Sequence, residues 1–188
     1  MITEFMRRAN EYPVIGAIGN NAVLDEAIKS DCEILFFLSG SIFDIADNVK
    51  RAKDANKMVF VHLDLLEGFS RDAVAVEYLC KRTETDGIIT TKSSMIKVIK
   101  SFDKISIQRL FLIDSLNFDT GIKSVTHTQP DAVEILPGIM HHVTEQIVSR
   151  TRTPIVTGGL IQSKEDIIMG LKAGAVAVST SNSKLWGL

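Results

Sequence analysis

Residues 154–182 read PIVTGGLIQSKEDIIMGLKAGAVAVSTSN, and they contain a complete strand–helix–strand unit. Two short apolar runs, Pro154–Thr157 and Ala175–Ser179, flank an amphipathic stretch over Lys164–Ala173. Ser163 stands where a helix cap is expected, and a glycine follows the helical stretch. The apolar runs do not alternate strictly with polar residues, which is typical of parallel strands buried on both faces. The segment therefore predicts one βαβ unit.

The same unit repeats along the chain eight times, at about 23 residues a unit. The predicted strands are Pro13–Ile18, Ile34–Leu38, Met58–Leu63, Gly87–Thr90, Arg109–Asp114, Ala132–Leu136, Pro154–Thr157 and Ala175–Ser179. The predicted helices are Ala22–Ser30, Phe43–Asn56, Arg71–Arg82, Ser94–Phe102, Thr120–His127, His142–Arg150 and Lys164–Ala173. Alternating units fit an open doubly wound sheet or a closed barrel, and eight units favour closure. We expect an α/β chain that forms a compact (β/α)8 TIM-type barrel, with residues 1–188 as a single domain.

Composition excludes several classes of protein. Of the 188 residues, 45% are hydrophobic and 23% are charged, and the net charge is −2, so no global basic field indicates a nucleic-acid binder. Cys32 and Cys80 lie far apart without metal-ligand spacing, so neither a disulfide framework nor a zinc site is expected. The N-terminus does not resemble a signal peptide, and no apolar run approaches the roughly 20 residues of a membrane span. We expect a cytoplasmic protein.

Functional groups of such barrels gather at the carboxyl ends of the strands. Gly158 and Gly159 follow the seventh strand, where backbone N–H groups without a side chain beside them can approach an anion. Ser179, Thr180 and Ser181 end the eighth strand just before a short terminal helix, whose free N–H groups can also bind phosphate. Each motif alone fits a tight turn or a helix cap equally well. Together, after the two strands that carry the usual barrel phosphate site, they predict phosphate binding.

Three further residues are candidates. Lys92 ends the fourth strand, where it could pair with a phosphate or carboxylate, form a Schiff base, or simply be solvated. Asp64 and Glu134 could orient ligand hydroxyls or act as acid and base. Glu134 stands between Val133 and Ile135, so it is predicted to point into the barrel, with Lys92 as its natural partner. A purely structural ion pair fits the same residues. Adjacent His141 and His142 chelate poorly, so no metal is expected.

Several motifs, taken in chain order, resemble the glycerol-3-phosphate-responsive antiterminators of bacterial glycerol uptake operons. They are HLDLLEG at 62–68, DGIITTK at 86–92, QRLFLIDS at 108–115, VEILPG at 133–138, PIVTGGLI at 154–161 and VSTSN at 178–182. The resemblance covers nearly the whole chain. Gly19 departs from it, since the family tends to carry a basic residue after the first strand.

The resemblance implies a regulatory barrel that binds glycerol 3-phosphate and acts on the leader mRNA of glycerol-utilisation genes, without catalytic residues and without a cofactor. It implies that Gly158, Gly159, Thr180 and Ser181 hold the phosphate. Asp64, Lys92 and Glu134 would then contact the glycerol moiety or support the residues that do. The residues alone also fit a small barrel enzyme (an isomerase, aldolase or phosphodiesterase) that uses the last three side chains, or a metabolite-binding protein without a nucleic-acid role. Homo-oligomer formation stays open.

Overall fold

The computed structural model describes all residues, 1–188, and forms a closed barrel of eight parallel strands. The strands are β1 Val14–Ile18, β2 Ile34–Phe37, β3 Met58–His62, β4 Gly87–Thr90, β5 Ile105–Phe111, β6 Ala132–Leu136, β7 Ile155–Gly158 and β8 Ala177–Thr180. Each strand pairs with the next in the chain, and β8 closes the ring by pairing with β1. The predicted (β/α)8 barrel is confirmed, and an open sheet is excluded.

Eight helices surround or cover the barrel. They are α1 Ile2–Glu11, α2 Leu24–Lys29, α3 Ile45–Asp54, α4 Ala73–Arg82, α5 Ser93–Lys100, α6 Ser115–Thr128, α7 His141–Arg150 and α8 Lys164–Lys172, and a short 3-10 turn, Ser183–Leu185, follows β8. Ser163 caps α8 by accepting a hydrogen bond from the Asp166 N–H, and Gly174 after the helix has a φ of +96°. No helix has the length and the apolar run that crossing a membrane requires.

Three elements, β5, α6 and α1, differ from the prediction. The fifth strand begins earlier, at Ile105, and ends at Phe111, so Asp114 lies beyond it. Asp114 instead caps α6, because its Oδ1 accepts the Asn117 N–H at 2.7 Å, and α6 therefore starts at Ser115 rather than at Thr120. The first helix, α1, was not predicted at all.

The core has an inner and an outer layer. On β3, Met58 and Phe60 belong to the cluster inside the barrel, whereas Val59 and Val61 pack with the surrounding helices. Helix α1 covers the amino end of the barrel, where the ring of Phe5 meets the ring of Phe60 edge-on at 5.5 Å. The amino end is therefore filled, and the strands present their functional side chains at the carboxyl end.

Candidate functional site

A buried ion pair lies at the carboxyl end of the barrel. Arg109 of β5 and Glu134 of β6 face each other in register, and the Arg109 Nε donates to Glu134 Oε2 at 2.7 Å. The Ser179 hydroxyl of β8 donates to the other carboxylate oxygen, Oε1, also at 2.7 Å. Arg109 is 6% exposed and Glu134 is 1% exposed. The Glu134 carboxylate thus holds the guanidinium of Arg109 at its Nε. The two terminal amino groups of Arg109 donate to no acceptor in the protein.

The predicted pairing of Glu134 with Lys92 is wrong. Lys92 is an exposed residue before α5, and its ammonium donates to the backbone oxygen of Arg71 at 3.0 Å. It does not line the central cavity. Sequence reasoning missed Arg109 because the residue was taken as the start of a strand rather than as an inward-facing position within one. The misplaced start of the predicted fifth strand therefore explains why Arg109 was not predicted as the partner of Glu134.

A cavity of about 100 Å³ lies directly above this ion pair. It is lined by Ala17, Leu38, Arg109, Glu134, Leu136, Gly159, Leu160, Ile161, Gln162, Ser179, Thr180 and Ser181. The backbone N–H groups of Gly159, Leu160 and Ser181 donate to no acceptor in the protein. Gly159 and Leu160 both have left-handed backbone, with φ of +76° and +62°, which is unusual for leucine. Free N–H groups and a cation thus border one small space.

Gly158 has a packing role. A side chain on this last residue of β7 would collide with the Ser179 hydroxyl, and its Cβ would come within 2.9 Å of Glu134 Oε1. Only glycine therefore allows β7 to pass so close to the Glu134–Ser179 hydrogen bond. The hydroxyl of Thr180 is also engaged, because it donates to the backbone oxygen of Ile161 at 3.0 Å and ties the loop after β7 to the end of β8.

Asp64 lies apart from this cavity, on the short turn after β3. Its carboxylate accepts from the Thr91 N–H at 2.6 Å, the Thr91 hydroxyl at 2.8 Å and the Thr90 hydroxyl at 3.0 Å. Burial would raise the pKa of Asp64, but these three hydrogen bonds outweigh it and hold the pKa below its usual value. Asp64 therefore joins the ends of β3 and β4 as an ionised acceptor.

His62 is a second buried polar residue that was not predicted as a site residue, although it begins the HLDLLEG motif at the end of the third strand. It follows Met58 and Phe60 with the period of two that points strand residues inward, and it is 1% exposed. Neither ring nitrogen has a hydrogen-bond partner. Burial, and then the charge of Arg109, lower the pKa of His62 to about 3, so the ring is neutral near pH 7. The alternation along β3 was a signal that pointed to this residue.

A larger groove of about 380 Å³ lies elsewhere, between α6 and α7. Its cation, Arg150, is already engaged, because the guanidinium lies 5.2 Å from the ring centre of Phe118 and 3.7 Å from the Asp119 carboxylate. The groove holds no buried charge. The smaller central cavity is the better candidate site, since it combines buried charge with free N–H groups.

Comparison with known proteins identifies the family. Residues 14–186 match the family model described as glycerol-3-phosphate responsive antiterminator. The chain belongs to this family. The Escherichia coli (strain K12) protein YgcP is 43% identical to this antiterminator-family chain over 178 residues, which are 95% of the chain and 93% of YgcP.

Two solved structures share the fold closely. The glycerol uptake operon antiterminator regulatory protein from Listeria monocytogenes has a TM-score of 0.89 and 33% identity, over 92% of this antiterminator-family chain and 94% of its own. A glycerol uptake operon antiterminator-related protein from Thermotoga maritima has a TM-score of 0.82 and 29% identity, over 92% and 96%. These relatives agree with the resemblance that the sequence motifs carry.

Proposed function

We propose that this antiterminator-family protein is a non-enzymatic sensor, which binds glycerol 3-phosphate at the carboxyl mouth of its barrel and acts on leader mRNA in the cytoplasm. The observation that carries the proposal is the fixed guanidinium of Arg109. Its terminal amino groups are free beside the free N–H groups of Gly159, Leu160 and Ser181. A phosphate ester accepts hydrogen bonds from a guanidinium fork and from converging N–H groups.

The arrangement supports binding better than catalysis. Glu134 already accepts hydrogen bonds from Arg109 and Ser179, which leaves it poorly suited to remove a proton from a ligand. Lys92 lies outside the cavity, away from any carbonyl that would form a Schiff base there. Barrel aldolases such as QR15 are 12% identical to the chain, so they share its fold alone. The enzyme alternative therefore has no assembled acid, base and nucleophile.

The RNA role rests on the family. The lysine-rich stretch on α3 does not offer a free basic patch, because Lys50, Arg51 and Lys53 each pair with a carboxylate. We propose that the phosphate ester orders the loops after β7 and β8, and so shifts the population toward the state that binds RNA. The contact surface is then expected near those loops rather than on the outer helices.

Calorimetry on the purified chain tests the ligand. We expect glycerol 3-phosphate to bind, inorganic phosphate to bind more weakly, and glycerol not to bind detectably. The Arg109→Met variant should lose ester binding, because the guanidinium fork is gone. Lys92→Ala is the matched control for loss of a cation near the same face, and it should bind as the unaltered chain does. Equal affinity for the ester and inorganic phosphate would contradict the proposal, and turnover of the ester would favour the enzyme.

A gel shift on a glycerol-operon leader transcript tests the partner. We expect glycerol 3-phosphate to strengthen the shift, and added salt to weaken it, because phosphate contacts release counterions. The Arg109→Met variant should shift the transcript equally with and without the ester. A shift that the ester does not change would contradict control of RNA binding by the ligand, and the absence of any shift would leave a metabolite-binding protein without a nucleic-acid role.

A further inference from the structure

We propose that His62 is the specificity-determining residue of the sensor site, and that its neutral ring hydrogen-bonds a hydroxyl group of the polyol end of the ligand. This inference rests on the proposed function and deepens it, because it divides the site into a phosphate half and a hydroxyl half. The phosphate half consists of Arg109 and the loops after β7 and β8. The hydroxyl half is the side of the barrel mouth formed by β2 and β3.

The first support is the missing hydrogen bonds of His62. Both ring nitrogens are buried and unpartnered, although a neutral imidazole offers one donor and one acceptor. Buried polar side chains almost always have partners, so an unpaired one needs an explanation. A hydroxyl group is itself both donor and acceptor, and it therefore matches either nitrogen in either tautomer.

The second support is where the ring lies. His62 is the last residue of β3, so it stands at the same end of the barrel as the cavity. Phe37 of β2 pairs with Val61, which places Leu38 beside His62, and Leu38 lines the cavity. Arg109 continues the inward series of Ile105 and Ile107 on β5, so its side chain and the ring of His62 both point into the barrel. The unpartnered ring therefore lies beside the cavity wall, although His62 itself does not line the cavity.

The third support is the charge state of the ring and of the charged residues near it. Burial, and then the positive charge of Arg109, lower the pKa of His62, so the protein holds the ring as an uncharged group. Asp64, two residues further along the chain, has three donors of its own and does not bond the ring. A neutral hydrogen-bonding group next to an anion-binding guanidinium is the pairing that a short phosphorylated polyol requires.

The test compares two esters on two proteins by calorimetry. Glycerol 3-phosphate and propyl phosphate both carry the phosphate, but only the first carries hydroxyls. On the unaltered chain we expect the glycerol ester to bind at least about tenfold more tightly, as one good hydrogen bond in a buried site allows. In His62→Leu the ratio of the two affinities should fall toward one, while inorganic phosphate binds as before. His62→Gln, which keeps a donor and an acceptor, should restore part of the ratio.

Thermal unfolding at pH 7 supplies an independent readout. A structural histidine would destabilise the fold when replaced, whereas removal of two unpaired buried nitrogens should leave the melting temperature of His62→Leu unchanged or higher. A His62→Leu variant that keeps the ester ratio would overturn this inference alone, and so would a variant that loses both the ratio and phosphate binding. If the unaltered chain binds neither ester, the proposed function itself fails.

Discussion

The Arg109–Glu134 pair shows how one interaction can be costly and still be required. Taking two charges out of water costs several kcal/mol for each ion, and their mutual attraction returns this only with good geometry. Here the geometry is good, with 2.7 Å between Nε and Oε2 and a second donor from Ser179. The terminal amino groups of Arg109 have no acceptor in the protein, and the proposed anionic ligand would supply one.

Removing one partner of the Arg109–Glu134 pair should lower the free energy of unfolding more than neutralising both partners does. Arg109→Met leaves Glu134 buried without its cation, and we expect it to lower the free energy of unfolding by about 3–5 kcal/mol. In the double variant Arg109→Met/Glu134→Gln, an amide that still accepts the Ser179 hydroxyl should recover most of that loss. Urea denaturation measures both. Ester binding should be absent from both variants, and a double variant that binds the ester would argue against Arg109 as the anion-binding group.

At the scale of the elements, the sequence predicted the number and order of the strands, because short apolar runs repeat regularly. It placed β5 four residues late, since Leu112 and Ile113 extend the apolar run beyond the strand while polar Ser106 and Gln108 interrupt the true one. That error hid the inward direction of Arg109. The glycines and hydroxyls at the ends of β7 and β8 were predicted as site residues from their place at strand ends, whereas the inward direction of His62 and Arg109 depends on the strand register.

Helix α1 should contribute stability without touching the site. Phe5 is fully buried against Phe60, so Phe5→Ala is expected to lower the free energy of unfolding by about 3–5 kcal/mol through lost burial and a residual cavity. Phe43→Ala removes the same ring where it is 93% exposed, and should change stability by less than about 0.5 kcal/mol. Denaturation curves compare the two. Equal losses of unfolding free energy in the two variants would mean that α1 does not fill the amino end of the barrel.

The end of β7 should tolerate no side chain. In Gly158→Ala the new methyl group meets the Ser179 hydroxyl, so we expect a lower melting temperature and weaker ester binding. Adding Ser179→Ala removes part of the collision and should recover part of the melting temperature. Gly19→Ala is the control, because a Cβ there meets nothing within 4 Å. Gly158→Ala with full stability would contradict the close approach of β7 and β8.

Acid should destabilise the whole molecule, and His62 should account for part of the effect. The pKa of His62 is about 3 in the folded chain and 6.5 for an unperturbed histidine, so the unfolded chain binds more protons between these values. Stability must then fall as the pH drops from about 6.5 toward 3, by at most about 1.4 kcal/mol for each pH unit. His62→Leu should flatten this slope in denaturant titrations.

The exposed His142 provides the control for that slope, as His142→Gln removes a histidine from the surface of α7. Asp64 adds a separate loss of stability in acid, because its pKa is lowered in the fold and its hydrogen bonds weaken once the carboxylate is protonated. That loss should persist in His62→Leu. A His62→Leu chain with the wild-type slope would mean that the ring is not held neutral by the barrel.

Helix α1, through Phe5, closes the amino end of the barrel. The proposed ligand above Arg109 would therefore enter and leave at the carboxyl mouth. A macromolecule seated over that mouth would slow ligand escape. If the macromolecule also raises the affinity for the ligand, reciprocity of binding free energies requires the ligand to raise the affinity for the macromolecule by the same factor.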